Sequence, residues 1–389
     1  MNKKILVVFE GDIFDRKGLF NAVHGRIRAL SANGGYDIFP YCIQCRDTVL
    51  SRKVKHSSKK PSVNHRTFDS VDYKVLSYRF SIIDWVLTEV FKCKPLFFSL
   101  FLRKTARKFK GYDLVSAHSF KGGLLAEAVS KRQDIPFTIT WHGSDIHTHP
   151  WKSSLVRKET ARLTANARWN FYVSEALMET SSPFPGHKMV LHNGVSMKFK
   201  RFSDEQKAEL RKRYGVSQGT KVVAYAGSFF HVKNTMALPD IWEKVRTLYE
   251  GPLVFWVIGQ GREFGRVRSE LISRNKLNCV FFGNQPPEQM PALMNCINVL
   301  VLPSLNEGMP LVTMEALNCG CNAVGSRVGG IPEILGEENT VPLGQDFTSQ
   351  MAQKIYEFLL EPKDQLHGRG FGWDATARIE DAAYKKILG

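Results

Sequence analysis

The stretch that most limits what this chain can fold into is Asn298 to Leu335, NVLVLPSLNEGMPLVTMEALNCGCNAVGSRVGGIPEIL. Asn298–Leu302 is a short apolar run and reads as a buried parallel strand. Asn306, Gly308 and Pro310 break it. Leu311 to Leu317 then carries apolar residues at helical spacing, and Gly320 ends the helix. A helix start with unpartnered N–H groups attracts phosphate, through its open donors and the positive end of its dipole. Two carboxylates bracket this start, Glu307 in the loop and Glu315 inside the helix. Acidic groups beside an anion site are costly unless they accept hydrogen bonds from something else, such as sugar hydroxyls. A phosphate cradle flanked by hydroxyl acceptors suits a nucleotide sugar.

Glu307 and Glu315 in EGMPLVTME are separated by seven residues, with PS before the loop and GGIPE after it. This pattern resembles the E-x7-E signature of the retaining GT-B glycosyltransferases of family 4. The resemblance runs from about Lys4 to Tyr384. It implies an α/β GT-B fold, with two Rossmann-like domains facing across a cleft. Residues 1–198 would form the acceptor-side domain and 199–366 the nucleotide-sugar domain. Residues 367–389 would form a terminal helix crossing back to the first. Glu315 would take the ribose hydroxyls. Lys233 and the backbone of Gly308, Met309, Pro310 and Leu311 would hold the diphosphate. Gly227 and Ser228 follow a strand at the donor side, and Asn284 would lie near the base. Ser228 stands where the family commonly has arginine, and Ser196 replaces an aspartate at the domain junction.

The first half opens with the strand Ile5–Phe9, a loop, and a helix from Gly18 to about Asn33. The loop lacks G-x-G-x-x-G, so it is no dinucleotide fingerprint. A later strand, Asp113–Ala117 (DLVSA), is followed at its C-terminal end by His118. Another strand, PFTITW, leads into His142-Gly143-Ser144-Asp145. Sites in open α/β sheets lie beyond strand C-termini. The HG-x-D stretch resembles the family segment whose histidine meets the donor sugar, so His142 joins Glu307 as a candidate for catalysis. Gly18 and Asp145 are expected on the acceptor side, where Asp145 is also a candidate cap.

Charge is unevenly spread. Residues 1–200 hold 33 Lys and Arg against 16 Asp and Glu, whereas residues 201–389 hold 21 of each. The excess points the first half at an anionic partner. Residues 46–60 read as a basic, mobile loop. In FFSLFLRKTARKFK, Phe98, Leu102, Ala106 and Phe109 form one helical stripe, with Arg103, Lys104, Arg107, Lys108 and Lys110 off it. Such a helix either packs on the sheet or rests on an anionic bilayer. Seven scattered cysteines fit a reduced chain. No early apolar leader and no run long enough to span a bilayer are seen. The expectation is a cytoplasmic chain, peripheral on the inner membrane face.

The expected reaction moves a hexose with retention from a nucleotide-diphosphate sugar, UDP favoured, to a glycan or lipid-linked saccharide of a surface polysaccharide. No metal, cofactor or nucleic acid is expected. A GT-B sugar-nucleotide epimerase, a nucleotide-sugar hydrolase and a non-catalytic basic protein binding membrane or nucleic acid remain as alternatives.

Overall fold

The computed structural model describes residues 2–11, 13, 18–47, 64–366 and 370–389. Most of the basic loop expected over 46–60, and most of the first loop before Gly18, lie outside the described residues. The chain divides into two compact units. One is Met1–Asn193 with Trp373–Gly389, and the other is Gly194–Gly372.

In the first unit the strands are β1 (Lys3–Glu10), β2 (Tyr36–Asp47), β3 (His65–Phe68), β4 (Val71–Phe80), β5 (Leu114–His118), β6 (Phe137–Trp141), β7 (Trp169–Tyr172) and β8 (Lys188–Val190). They form one sheet in the order β3-β4-β2-β1-β5-β6-β7-β8. All pairings are parallel except the β3–β4 hairpin at one edge. Strands buried on both faces must be apolar throughout, as Ile5–Phe9 are. The order reverses between β1 and β5, which puts a topological switch point beside His118.

The last helix, Trp373–Leu388, packs on this unit against the helix Gly18–Ala32. The contact is partly a buried ion pair. Arg26 donates from Nε to Glu380 Oε2 at 3.0 Å, and its Nη2 lies 2.8 Å from Oε1. Arg26 Nη1 also donates to Thr140 Oγ1 on β6 at 2.8 Å. Such a pair is no guarantee of stability, but losing one partner strands the other charge, at a cost of about 3–5 kcal/mol.

The aromatic-basic segment folds as the helix Leu96–Ala106, shorter than its pattern suggests. Phe98, Ala106 and Phe109 are all buried, so the stripe packs on the protein. Phe109 lies beyond the helix, edge-on to Tyr41 at 4.8 Å.

The second unit holds β9 (Lys221–Ala226), β10 (Leu253–Ile258), β11 (Cys279–Gly283), β12 (Val299–Leu302), β13 (Asn322–Ser326) and β14 (Thr340–Val341). Their order is β11-β10-β9-β12-β13-β14, all parallel. This is the doubly wound arrangement, with its switch point between β9 and β12. The loops leaving those two strands carry Lys233 and Glu307.

Candidate active site

Backbone packing builds the donor-side loops. A Cβ on Gly259 (φ +120°) would lie 1.9 Å from the Gly227 carbonyl oxygen, and one on Gly261 would come within 2.5 Å of Phe229 backbone. A Cβ on Gly329 (φ +51°) would lie 1.8 Å from the Glu307 carbonyl oxygen. Glycine is needed at such approaches because any side chain would force the loops apart. The GG of GGIPE therefore pins the Glu307 loop, and Gly330 N–H donates to the Gly308 carbonyl at 3.0 Å. Leu305 N–H donates to the Val232 carbonyl at 2.8 Å, which ties the β12 loop to the β9 loop.

That tie brings Lys233 and Glu307 together. Lys233 Nζ donates to Glu307 Oε1 at 2.6 Å, with side chains 27% and 9% exposed. Ser304 Oγ donates to the same oxygen at 2.8 Å. Ser326 on β13 directs its buried hydroxyl to the carbonyls of Leu302 and Ser304, which holds the PS turn against the strand ends. Ser304 and Ser326 were missed as site residues. The PS before the loop was the available signal for Ser304, whereas Ser326 acts through strand adjacency.

The helix Leu311–Asn318 begins without a side-chain cap at Pro310. Pro310 has no N–H, so it contributes shape and a preset φ. The N–H groups of Leu311 and Val312, in the first turn, have no acceptor within the helix. Gly308 and Met309 are buried in the preceding loop. Glu315 is half-buried inside the helix, and among the described residues its carboxylate has no hydrogen-bond partner. Burial pushes its carboxyl up to about 7. Gly227, Ser228 and Asn284 all lie at the same C-terminal edge of the sheet. Gly227 and Asn284 are exposed, and the Ser228 carbonyl accepts from Tyr225 OH at 2.8 Å.

In the first unit, His142 follows β6, and Gly143 takes φ +150°. Asp145 turns its carboxylate back onto the N–H groups of His142 (3.1 Å) and Gly143 (2.8 Å). The aspartate of HG-x-D thus braces the turn that presents the histidine. Burial raises the Asp145 carboxyl to about 6, against the pull of those N–H donors. Burial, and next the Arg26 charge, lower His142 to about 3. His118, given no role from sequence, has Nδ1 3.0 Å from His142 Nε2. Gly18 is exposed and opens the first helix. Among the described residues no group of three or more His, Cys, Asp and Glu could hold a metal. No helix there is long and apolar enough to cross a membrane.

Residues 206–368 match the family model for glycosyl transferases group 1, and residues 66–199 match that for glycosyltransferase family 4. The chain is similar to the putative teichuronic acid biosynthesis glycosyltransferase TuaC of Bacillus subtilis (strain 168). The two are 27% identical over 63% of this chain and 61% of that protein, less than two thirds of its length. Among solved structures, sucrose-phosphate synthase of Thermosynechococcus elongatus superposes with a TM-score of 0.76 at 16% identity, covering 100% of this chain and 99% of that one. HepE of Anabaena, solved with UDP-glucose, gives 0.67 at 15% identity over 98% of both chains. The fold is GT-B.

Glu315 generates a pH prediction. Its folded pKa lies above the unfolded value near 4.5, so the fold is penalised as pH rises from about 4.5 to about 7, and the penalty is absent at lower pH. Glu315→Gln should therefore stabilise the ligand-free protein at pH 8, by roughly 1–3 kcal/mol, and leave it unchanged at pH 4. Denaturant melts at the two pH values check this; an equal shift at both would contradict it.

Proposed function

Because the chain belongs to the family 4, group 1 glycosyltransferases, whose members retain anomeric configuration, we propose that it moves a hexose from a UDP-sugar to a glycan or lipid-linked saccharide during surface polysaccharide synthesis. The observation that carries this reading is the 2.6 Å contact of Lys233 with Glu307 beside an uncapped helix start. Lys233 has three donor hydrogens and uses one on Glu307, which leaves two for phosphate oxygens. The N–H groups of Leu311 and Val312 add further donors. Together they stabilise the charge that grows on the departing diphosphate. Glu315 takes ribose hydroxyls, and its burial without a partner is the state such a ligand would relieve. Gly227, Ser228 and Asn284 line the donor side.

Glu307 is a poor nucleophile, because Lys233 and Ser304 both bond one of its oxygens. Its other oxygen is assigned to a hydroxyl of the transferred sugar, and His142 to another. Retention is then assigned to attack from the face the diphosphate leaves, with the leaving phosphate taking the acceptor's proton. Lys233 and the helix start supply the positive charge at the diphosphate, so the transfer is read as needing no metal. UDP is favoured by the likeness to HepE, a protein solved with UDP-glucose. A polysaccharide acceptor is favoured by the likeness to TuaC, named for teichuronic acid synthesis.

We read the first unit as resting on an anionic lipid surface at the inner membrane face. Ile83, Val90, Phe91, Leu96, Phe97 and Leu100 are exposed around the helices Ile82–Glu89 and Leu96–Ala106. Arg103, Lys104, Arg107 and Lys108 are exposed on and just beyond the second helix. Apolar side chains that enter the interface beside bases that meet headgroups are the elements of interfacial binding.

Calorimetry with UDP and uridine tests the donor assignment. Lys233→Ala should weaken UDP binding by roughly 10- to 100-fold, the worth of a charged hydrogen bond, and leave uridine binding nearly unchanged. Equal loss of both would contradict it. In vesicle flotation, Phe91→Glu with Phe97→Glu should abolish binding to phosphatidylglycerol vesicles. Neutralising the four bases should weaken it by roughly a thousandfold, at about 1 kcal/mol each. Unchanged flotation would remove the membrane reading.

A further inference from the structure

The last two residues of two neighbouring strand paths meet in the first unit. His118 ends β5, and its partner in register on β6 is Thr140. His142 lies two residues beyond Thr140. Side chains two apart on a strand share a face, so Ser116 and His118 project on one side of β5. Thr140 stands in the corresponding place two residues before His142. The terminal helix holds both strands at these earlier positions. Tyr384 OH lies 2.8 Å from Ser116 Oγ and 2.6 Å from Glu380 Oε1, while Glu380 binds Arg26, which reaches Thr140. A polar band thus runs from the terminal helix to the histidine pair.

The pair itself is tightly arranged. His118 Nδ1 and His142 Nε2 are 3.0 Å apart, with ring centroids at 5.3 Å and planes at 32°. His118 is 2% exposed. Ser119, directly after it, is held at φ +67°, a region a serine seldom occupies without support. We propose that His118 is a positioning residue for sugar transfer: its Nδ1 holds Nε2 of His142, so that His142 presents Nδ1 to the transferred sugar.

Both rings are kept neutral. Burial first, then the Arg26 charge, push His118 far down and His142 to about 3. Glu380 is taken by Arg26 and Tyr384, and Asp145 by the His142 and Gly143 N–H groups. Two neutral imidazoles joined through one hydrogen bond have linked tautomers, because the nitrogen that donates on one ring requires an acceptor on the other. Fixing one ring therefore fixes which hydrogen bond the outer nitrogen of His142 can make.

This proposal rests on the assignment of His142 to the sugar. The test compares His118→Leu, which removes the polar atom, with His118→Asn, whose side-chain amide restores one at the place of Nδ1. Nitrogen-15 NMR of histidine-labelled full-length protein reads the His142 tautomer, and UDP release from UDP-glucose reads turnover. Wild type and His118→Asn should show one fixed tautomer, and His118→Leu an averaged one. His118→Leu should lower kcat by about 10- to 100-fold, as a misplaced catalytic group does, with KM for UDP-glucose within about threefold. His118→Asn should recover most of the loss. An unchanged tautomer in His118→Leu, unchanged kcat, or an asparagine variant no better than leucine would each overturn the proposal. A fully active His142→Ala would instead refute the sugar assignment of His142, and with it any role for His118 in transfer; the NMR comparison identifies which of the two has failed.

Discussion

At the C-terminal edge of the second sheet, three pairs of backbone segments come closer than any side chain permits. Gly259 meets Gly227, Gly261 meets Phe229, and Gly329 meets Glu307. Everything at the donor side depends on these contacts. They hold the loop after β10 against the loop after β9 and the loop after β13 against the loop after β12, and the Leu305 N–H bond to the Val232 carbonyl joins the β9 and β12 loops, which puts Lys233 within a hydrogen bond of Glu307. A parallel sheet of doubly wound order supplies the frame, since its strand order reverses between β9 and β12 and leaves a crevice there. Side chains alone would not hold a lysine and a glutamate in register on two loops. Glycine backbones in contact do.

The first unit solves a related problem by different means. Its histidine site stands on the ends of β5 and β6, and those ends are held from behind by the terminal helix through Glu380, Arg26 and Tyr384. The carboxylate of Asp145 then shapes the turn. The helix that closes the chain is therefore part of the support of a site whose residues lie far earlier in sequence. Its buried ion pair is weak evidence of stability, but it ties the helix through Arg26 to Thr140 on β6.

Much of this was legible in the sequence, for physical reasons. Buried parallel strands are rich in apolar and β-branched residues, so ILVVF, PFTITW and NVLVL announced themselves. The glutamates of EGMPLVTME bracket a helix start that the breakers Gly308 and Pro310 define, and GGIPE carried part of the family pattern, although the close approach of Gly329 to Glu307 shows only in the structure. What could not be read was contact between distant segments. Arg26 and Glu380 are 354 residues apart, and nothing local links them. His118 looked like a strand terminus until β5 and β6 were seen side by side. Lys233 carried a phosphate role in the reading, yet its bond to Glu307 depends on β9 lying next to β12. The stripe Phe98, Leu102, Ala106 and Phe109 fitted either a sheet, the favoured reading, or a lipid surface. Packing decided for the sheet at Phe98, Ala106 and Phe109 and left other apolar residues of the same helix, Phe97 and Leu100, outside.

The central claim is that a nucleotide diphosphate docks at the start of the helix Leu311–Asn318. A crystal structure of the protein with UDP tests it most directly. The account predicts pyrophosphate oxygens at hydrogen-bond distance, about 2.8–3.1 Å, from the N–H groups of Leu311 and Val312 and from Lys233 Nζ, with the ribose hydroxyls on Glu315. UDP bound at another place, with the Leu311 helix start still open to water, would contradict it.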